Sequence, residues 1–141
     1  MTTPDHDLRK VQKLLTLILA ELDRVCRHIG VSYAIYGGTA IGAIRHGGFI
    51  PWDDDIDVMM TRADYERFLA EAPALLDERF RLDNTRTRED FPFMFTKMVM
   101  PGTLLIPEAD KDSNYRMPFF LDILPLDEIP ADDKAFKEMS R

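Results

Sequence analysis

The sequence predicts an α/β domain, a β-sheet with helices packed against it, on three observations. Apolar residues recur at helical spacing through most of the first thirty positions. Short β-branched or aromatic runs then alternate with short helical patterns. The composition, 45% hydrophobic and 30% charged over 141 residues without repeats or low-complexity segments, suits one globular core.

The elements follow in chain order. Leu8, Val11, Leu15, Ile18, Leu22, Val25 and Ile29 step by three and four, one face of a helix from Asp5 to Ile29, with Pro4 at its start and Gly30 at its end. Val31 to Tyr36 reads as a strand running into the tight turn of Gly37 and Gly38. A short helix spans Thr39 to Arg45, and Gly47, Gly48 and Pro51 then force a loop. Asp55 to Met60 is a strand, acidic at its start and apolar beyond, and a helix runs from Thr61 or Arg62 to about Glu71. A short helix to about Glu78 and a strand around Phe80 to Leu82 come next. Phe93 to Met100 and Thr103 to Ile106 form two strands of a hairpin turning at Pro101-Gly102. Residues 110 to 114 are a polar loop, Phe119 to Leu124 is an apolar strand broken only by Asp122, and a helix begins at Ala131.

Charge removes whole classes of function. With a net charge of −7 the chain offers no broad basic face for nucleic acid. No apolar run reaches the roughly 18 residues of a membrane span, and the N-terminus lacks the basic-then-apolar order of a signal peptide, so a cytoplasmic setting is expected. The one cysteine, Cys26, falls on the apolar stripe of the first helix and reads as a buried, unreactive thiol.

The chemistry concentrates between Tyr36 and Asp57. In a strand, residues two apart face the same side, so Asp55 and Asp57 present their carboxylates together. Two carboxylates that close repel, and a hard divalent cation, Mg²⁺ or Mn²⁺, is the economical means of keeping both ionised. Upstream, Gly37, Gly38 and Thr39 lie between a strand and a helix, where glycine lets a phosphate approach backbone N–H groups and a hydroxyl assists. Other motifs fail. Thr39 breaks a G-x-G-x-x-G pattern, no Gly-Lys-Ser/Thr exists, and an EF-hand starting at Asp53 would put Val58 where glycine is required.

Asp122, between Leu121 and Ile123, is costly to bury alone. It is a third metal ligand, the partner of a buried cation such as Arg45 or Lys97, or a helix-capping contact. Arg45 and His46, ending the short helix, and Lys97, interrupting an apolar strand, are candidate substrate contacts or charge-balancing cations. Trp52 is expected to pack under the acidic loop.

The run Gly-Gly-Thr, then Gly-Ala-Ile-Arg-His-Gly-Gly-Phe-Ile-Pro-Trp-Asp-Asp-Asp-Ile-Asp, and later Phe-Leu-Asp-Ile-Leu-Pro-Leu-Asp, resembles the LicD/fukutin family of the nucleotidyltransferase-fold superfamily over roughly residues 8 to 130. The resemblance implies a nucleotidyltransferase-like mixed β-sheet flanked by helices. It also implies transfer of phosphocholine or a related phospho-alcohol from a CDP-linked donor to a sugar hydroxyl of a cell-surface glycan such as a teichoic acid or lipopolysaccharide. It sets the family's Asp-x-Asp on Asp55 and Asp57, with Asp53 just before, and its later carboxylate on Asp122. Two alternatives stay open: a nucleotidyltransferase releasing pyrophosphate, and an inactive or regulatory metal-binding module. Residues 1–141 are expected to form one domain of this kind, the N-terminal part of a longer protein.

Overall fold

The computed structural model describes residues 4–105 and 117–140. The helical stripe becomes α1 (Pro4–Ile29), which buries Leu15, Ile18, Leu22, Val25 and Cys26. Each such aliphatic side chain contributes roughly 1.5–3 kcal/mol by leaving water. Gly30 ends the helix at φ 72°, its N–H donating to Cys26 O at 2.9 Å. Burial pushes the Cys26 thiol up to about 12, as expected of a structural cysteine.

There follow β1 (Ala34–Ile35), α2 (Gly37–His46), β2 (Asp57–Thr61), α3 (Arg62–Glu71), a 3-10 turn (Ala72–Ala74), β3 (Arg81–Asp83), β4 (Thr96–Leu105), β5 (Met117–Leu126) and α4 (Asp133–Met139). The five strands form one mixed sheet in the order β1-β2-β5-β4-β3, in which β2 and β5 run parallel and the other neighbours antiparallel. The α/β expectation holds.

Val58 and Met60 of β2, Leu82 of β3, Met98 of β4, and Leu121 and Ile123 of β5 join α1 and the Tyr65 and Phe68 side chains of α3 in one core. Side chains alternate across a strand, so the residues between them, Asp57, Asp83, Lys97 and Asp122, belong to the other face. Thr61 caps α3 by accepting from Asp64 N at 3.3 Å, and Asp132 caps α4 by accepting from Ala135 N at 2.9 Å.

Several expected elements change. The strand over Val31 to Tyr36 shortens to two residues, because only Ala34 and Ile35 pair with β2. The strand expected from Asp55 begins at Asp57, although Asp122 N donates to Ile56 O at 2.9 Å and so extends the ladder one residue upstream. The helix expected to reach Glu78 is the three-residue turn, and α2 takes in both glycines before Thr39.

The hairpin at Pro101-Gly102 is not formed. β4 continues through that pair and stays beside β5: Met100 faces Phe119 and Leu105 faces Met117, so five steps on β4 oppose two on β5. The excess is a bulge, with Gly102 at φ 83°. Thr103 seals it, its Oγ1 donating to Met100 O at 2.6 Å and accepting from Phe119 N at 2.8 Å. The polar loop expected at 110–114 lies outside the described residues.

Candidate active site

The register of the sheet lines up the charged residues. Asp57 of β2 faces Asp122 of β5 in the parallel ladder, Asp122 faces Lys97 of β4, and Lys97 faces Asp83 of β3. Adjacent strands are about 4.8 Å apart, so these four residues form a row across the face opposite the core that α1 and α3 cover. Lys97 Nζ donates to Asp122 Oδ1 at 2.6 Å, with the two side chains 3% and 15% exposed. The ammonium also lies over three rings, 3.5 Å from the centroid of Phe120, 4.5 Å from Phe93 and 5.2 Å from Phe95. Asp83 ends the row fully buried, its carboxylate accepting from Arg81 Nε at 2.6 Å.

The loop before β2 brings further acids to the row. Pro51 and Trp52 turn the chain, Asp53 N donating to Ile50 O at 2.9 Å. Buried Gln12 of α1 holds this turn, Nε2 donating to Asp53 O at 2.9 Å. One carboxylate oxygen from each of Asp53, Asp54 and Asp55 can be chosen within 4.8 Å of the others. Burial raises the Asp55 carboxyl to about 7, aided by a hydrogen bond with Asp53 and repulsion from Asp57, Asp53 and Asp54. Asp57 is raised by burial and by repulsion from Asp53, with Lys97 opposing. Asp122 is likewise raised by burial, against the pull of Lys97.

The N-terminus of α2 abuts these acids. Thr39 Oγ1 accepts from Asp57 N at 3.0 Å, tying the helix to the first residue of β2. A Cβ on Gly38 would lie 2.8 Å from Asp53 Oδ2, and one on Gly37 would lie 3.9 Å from Asp57 Oδ2. The space before Gly38, expected to admit a phosphate, also holds the Asp53 carboxylate. Gly42 meets a harder wall: a Cβ there would lie 2.4 Å from Gly48 O and 2.7 Å from Ile50 N. No side chain fits, so α2 and the following loop can touch backbone to backbone only through glycine.

Crowded oxygen donors of this kind, with Asp55, Asp57 and Asp122 raised first by burial and then by neighbouring acids, suit a hard divalent cation. A sequence model described as LicD/FKTN/FKRP, nucleotidyltransferase domain, matches residues 30–120, which contain β1, α2, the acidic loop, the Asp57 and Lys97 positions and the start of β5. The chain belongs to the LicD/FKTN/FKRP family. It is 36% identical over 127 residues, 90% of its own length, to the lipopolysaccharide cholinephosphotransferase LicD of Haemophilus influenzae. It is also 36% identical over 81 residues, 55% of its length, to the ribitol 5-phosphate transferase FKRP of mouse and of human. These relatives are named as transferases of phosphorylated alcohols. The chain spans 47% of the LicD protein and 16% of each FKRP protein.

Within this LicD-family domain the anticipated site residues fall into two groups. Asp53, Asp55, Asp57, Asp122, Gly37, Gly38, Thr39 and Lys97 come together at the β2–β5 register and the start of α2. Arg45 and His46 stand at the far end of α2, about 12 Å along its axis from Gly37, exposed, their side chains without a hydrogen bond or ion pair to another described residue. The expectation that Trp52 packs beneath the loop is corrected: the residue is 77% exposed, in a turn whose other residue, Pro51, is exposed as well. Gln12 was not anticipated. A polar residue on an otherwise apolar helix stripe was its one signal. Among the described residues no helix is long and apolar enough to cross a membrane.

Proposed function

We propose that this chain is the metal-binding domain of a transferase that moves phosphocholine, or a related phospho-alcohol, from a CDP-linked donor to a sugar hydroxyl of a cell-surface glycan. The observation that carries the reading is the pairing of Asp57 with Asp122 on adjacent parallel strands beside the N-terminus of α2. The names of the relatives make phosphocholine and ribitol 5-phosphate the groups to try first.

Asp55, Asp57 and Asp122 would hold Mg²⁺ or Mn²⁺, with Asp53 beside them. When bound, such a cation neutralises charge on the phosphoryl oxygens and lowers the pKa of an attacking hydroxyl. The first N–H groups of α2 lack intrahelical partners and suit a phosphate. The Thr39 hydroxyl, while accepting from Asp57 N–H, keeps its own hydrogen to donate to a phosphate oxygen. A carboxylate of the set takes the proton of the sugar hydroxyl as its oxygen attacks phosphorus. The phosphorus–oxygen bond to the nucleotide breaks, and cytidine monophosphate leaves.

The test is product analysis with CDP-choline and CDP-ribitol, Mg²⁺ and a bacterial glycan preparation. The proposal expects cytidine monophosphate together with a glycan heavier by the phospho-alcohol. Pyrophosphate release from a nucleoside triphosphate, with the CDP-alcohols untouched, would replace it with nucleotidyl transfer.

A further inference from the structure

The row of charged residues has an open end and a closed one. Asp83 and Lys97 are buried, Asp122 is nearly so, and Asp57 is partly exposed. One position further along lies Tyr36. Its N–H donates to Asp57 O at 2.9 Å, continuing the antiparallel register in which Ile35 faces Val58, so Tyr36 stands opposite Asp57. Ile35 packs on the core, and the extended backbone at Tyr36 (φ −131°, ψ 159°) turns the next side chain to the face that carries the acids. Tyr36 is 53% exposed, and its hydroxyl bonds to no other described residue. Directly opposed residues on one face have Cβ atoms about 4.5–5.5 Å apart, so this ring borders the Asp57 carboxylate.

Tyr36 continues the row at its exposed end, next to Asp57, whereas the other end is closed by Lys97, its three phenylalanines and Asp83. Among the described residues of the row Tyr36 alone is uncharged. An anionic donor is served by the cation site and the α2 N-terminus, whereas a neutral sugar needs an apolar face for its C–H groups and a hydroxyl for its own. We infer that Tyr36 is the acceptor wall of the site, stacking on the sugar ring that presents its hydroxyl beside Asp57. The inference rests on the transferase reading for the acceptor's class. Tyr36 acts here as a specificity-determining residue.

The experiment is saturation-transfer NMR on the whole chain with the methyl glycosides of glucose, galactose and N-acetylgalactosamine, without donor. Wild type should transfer saturation to ring C–H protons of at least one sugar. Tyr36→Phe should retain most of the signal, and Tyr36→Ala should weaken binding about tenfold while keeping the wild-type circular dichroism. No saturation transfer to any of the three sugars, or equal transfer in wild type and Tyr36→Ala, overturns the inference. So does a weakening of CDP-choline binding in Tyr36→Ala with sugar binding unchanged, which would assign the ring to the nucleotide. If Tyr36→Ala does not fold, loss of sugar signal in Tyr36→Val, whose branched side chain suits a strand, stands in its place. Because no turnover is read, sugar binding that depends on Tyr36, found without any phospho-alcohol transfer in the product analysis, would sink the transferase proposal and leave Tyr36 as a sugar-binding wall.

Discussion

Lys97 Nζ lies 2.6 Å from Asp122 Oδ1, and the lysine is almost wholly removed from solvent. Burial lowers the Lys97 pKa, and the neighbouring charges of Asp122, Asp57 and Asp55 oppose that fall. The pair is thus an internal cation set beside acids that otherwise repel. Removing one partner leaves the other buried and uncompensated, which costs about 3–5 kcal/mol. Lys97→Met and Asp122→Asn should each lose stability of that order in denaturant unfolding with chelator present. The double variant should lose much less than the sum. Additive losses would show that the two groups do not depend on each other.

The glycines of α2 should separate by what they face. Gly42→Ala drives a methyl into the backbone of Gly48 and Ile50, which cannot rotate away, and should destabilise by about 1–3 kcal/mol. Gly38→Ala meets only the end of the Asp53 side chain, which can swing aside. Its stability should change little while Mn²⁺ affinity falls, as read by calorimetric titration. Equal loss of stability in both would mean that the Asp53 carboxylate is fixed as firmly as backbone.

Gln12 connects the long helix to the acidic turn. Gln12→Leu fills the same space but leaves the carbonyl of Asp53 without its 2.9 Å donor, so a cost of about 1–3 kcal/mol is expected. Divalent cation affinity should fall with it, because the turn that carries Asp53 and Asp55 loses its anchor. Unchanged affinity in a destabilised variant would restrict Gln12 to the fold.

The difference between what was and was not legible in the sequence follows from range. α1, α3 and the apolar runs of β2 and β5 carry their own periodicity, and the crowding of Asp55 and Asp57 could be read from spacing alone. β1 could not be bounded, since two residues of it pair and nothing local marks which. Pro101-Gly102 has the chemistry of a turn, and Gly102 does take positive φ, but the strand across from it is β5 on both sides. Whether such a pair makes a hairpin or a bulge is decided by the partner, not by the two residues. The facing of Asp57 with Asp122 spans 65 positions and depends on a strand register that no local pattern encodes. For Asp122 the sequence left a metal ligand, a buried ion pair and a helix-capping contact open; the Lys97 ion pair is formed, and the ligand role rests with the proposal above.

The acids also set a pH dependence. The Asp55 carboxyl sits near 7 in the fold against an ordinary value of 3.8. Below 3.8 both folded and unfolded forms are protonated and nothing is lost. Between 3.8 and 7 the unfolded chain has released its proton while the folded chain retains it, so stability falls as pH rises, and it levels off above 7. Metal-free protein should therefore lose thermal stability between pH 4 and 7, and Asp55→Asn should flatten that part of the profile. A wild-type profile that rises across this window with chelator present would contradict the crowding argument.

The most direct test is the thermal midpoint of wild type and of Asp55→Asn/Asp57→Asn with and without Mg²⁺ or Mn²⁺ at matched ionic strength. Ligands that bind only the folded state raise its stability by mass action, about 2.7 kcal/mol at a hundredfold excess over Kd. The account predicts a metal-dependent rise in wild type and none in the double variant. An equal shift in both proteins, or no shift in either, would contradict the assignment of these aspartates as the seat of a divalent cation.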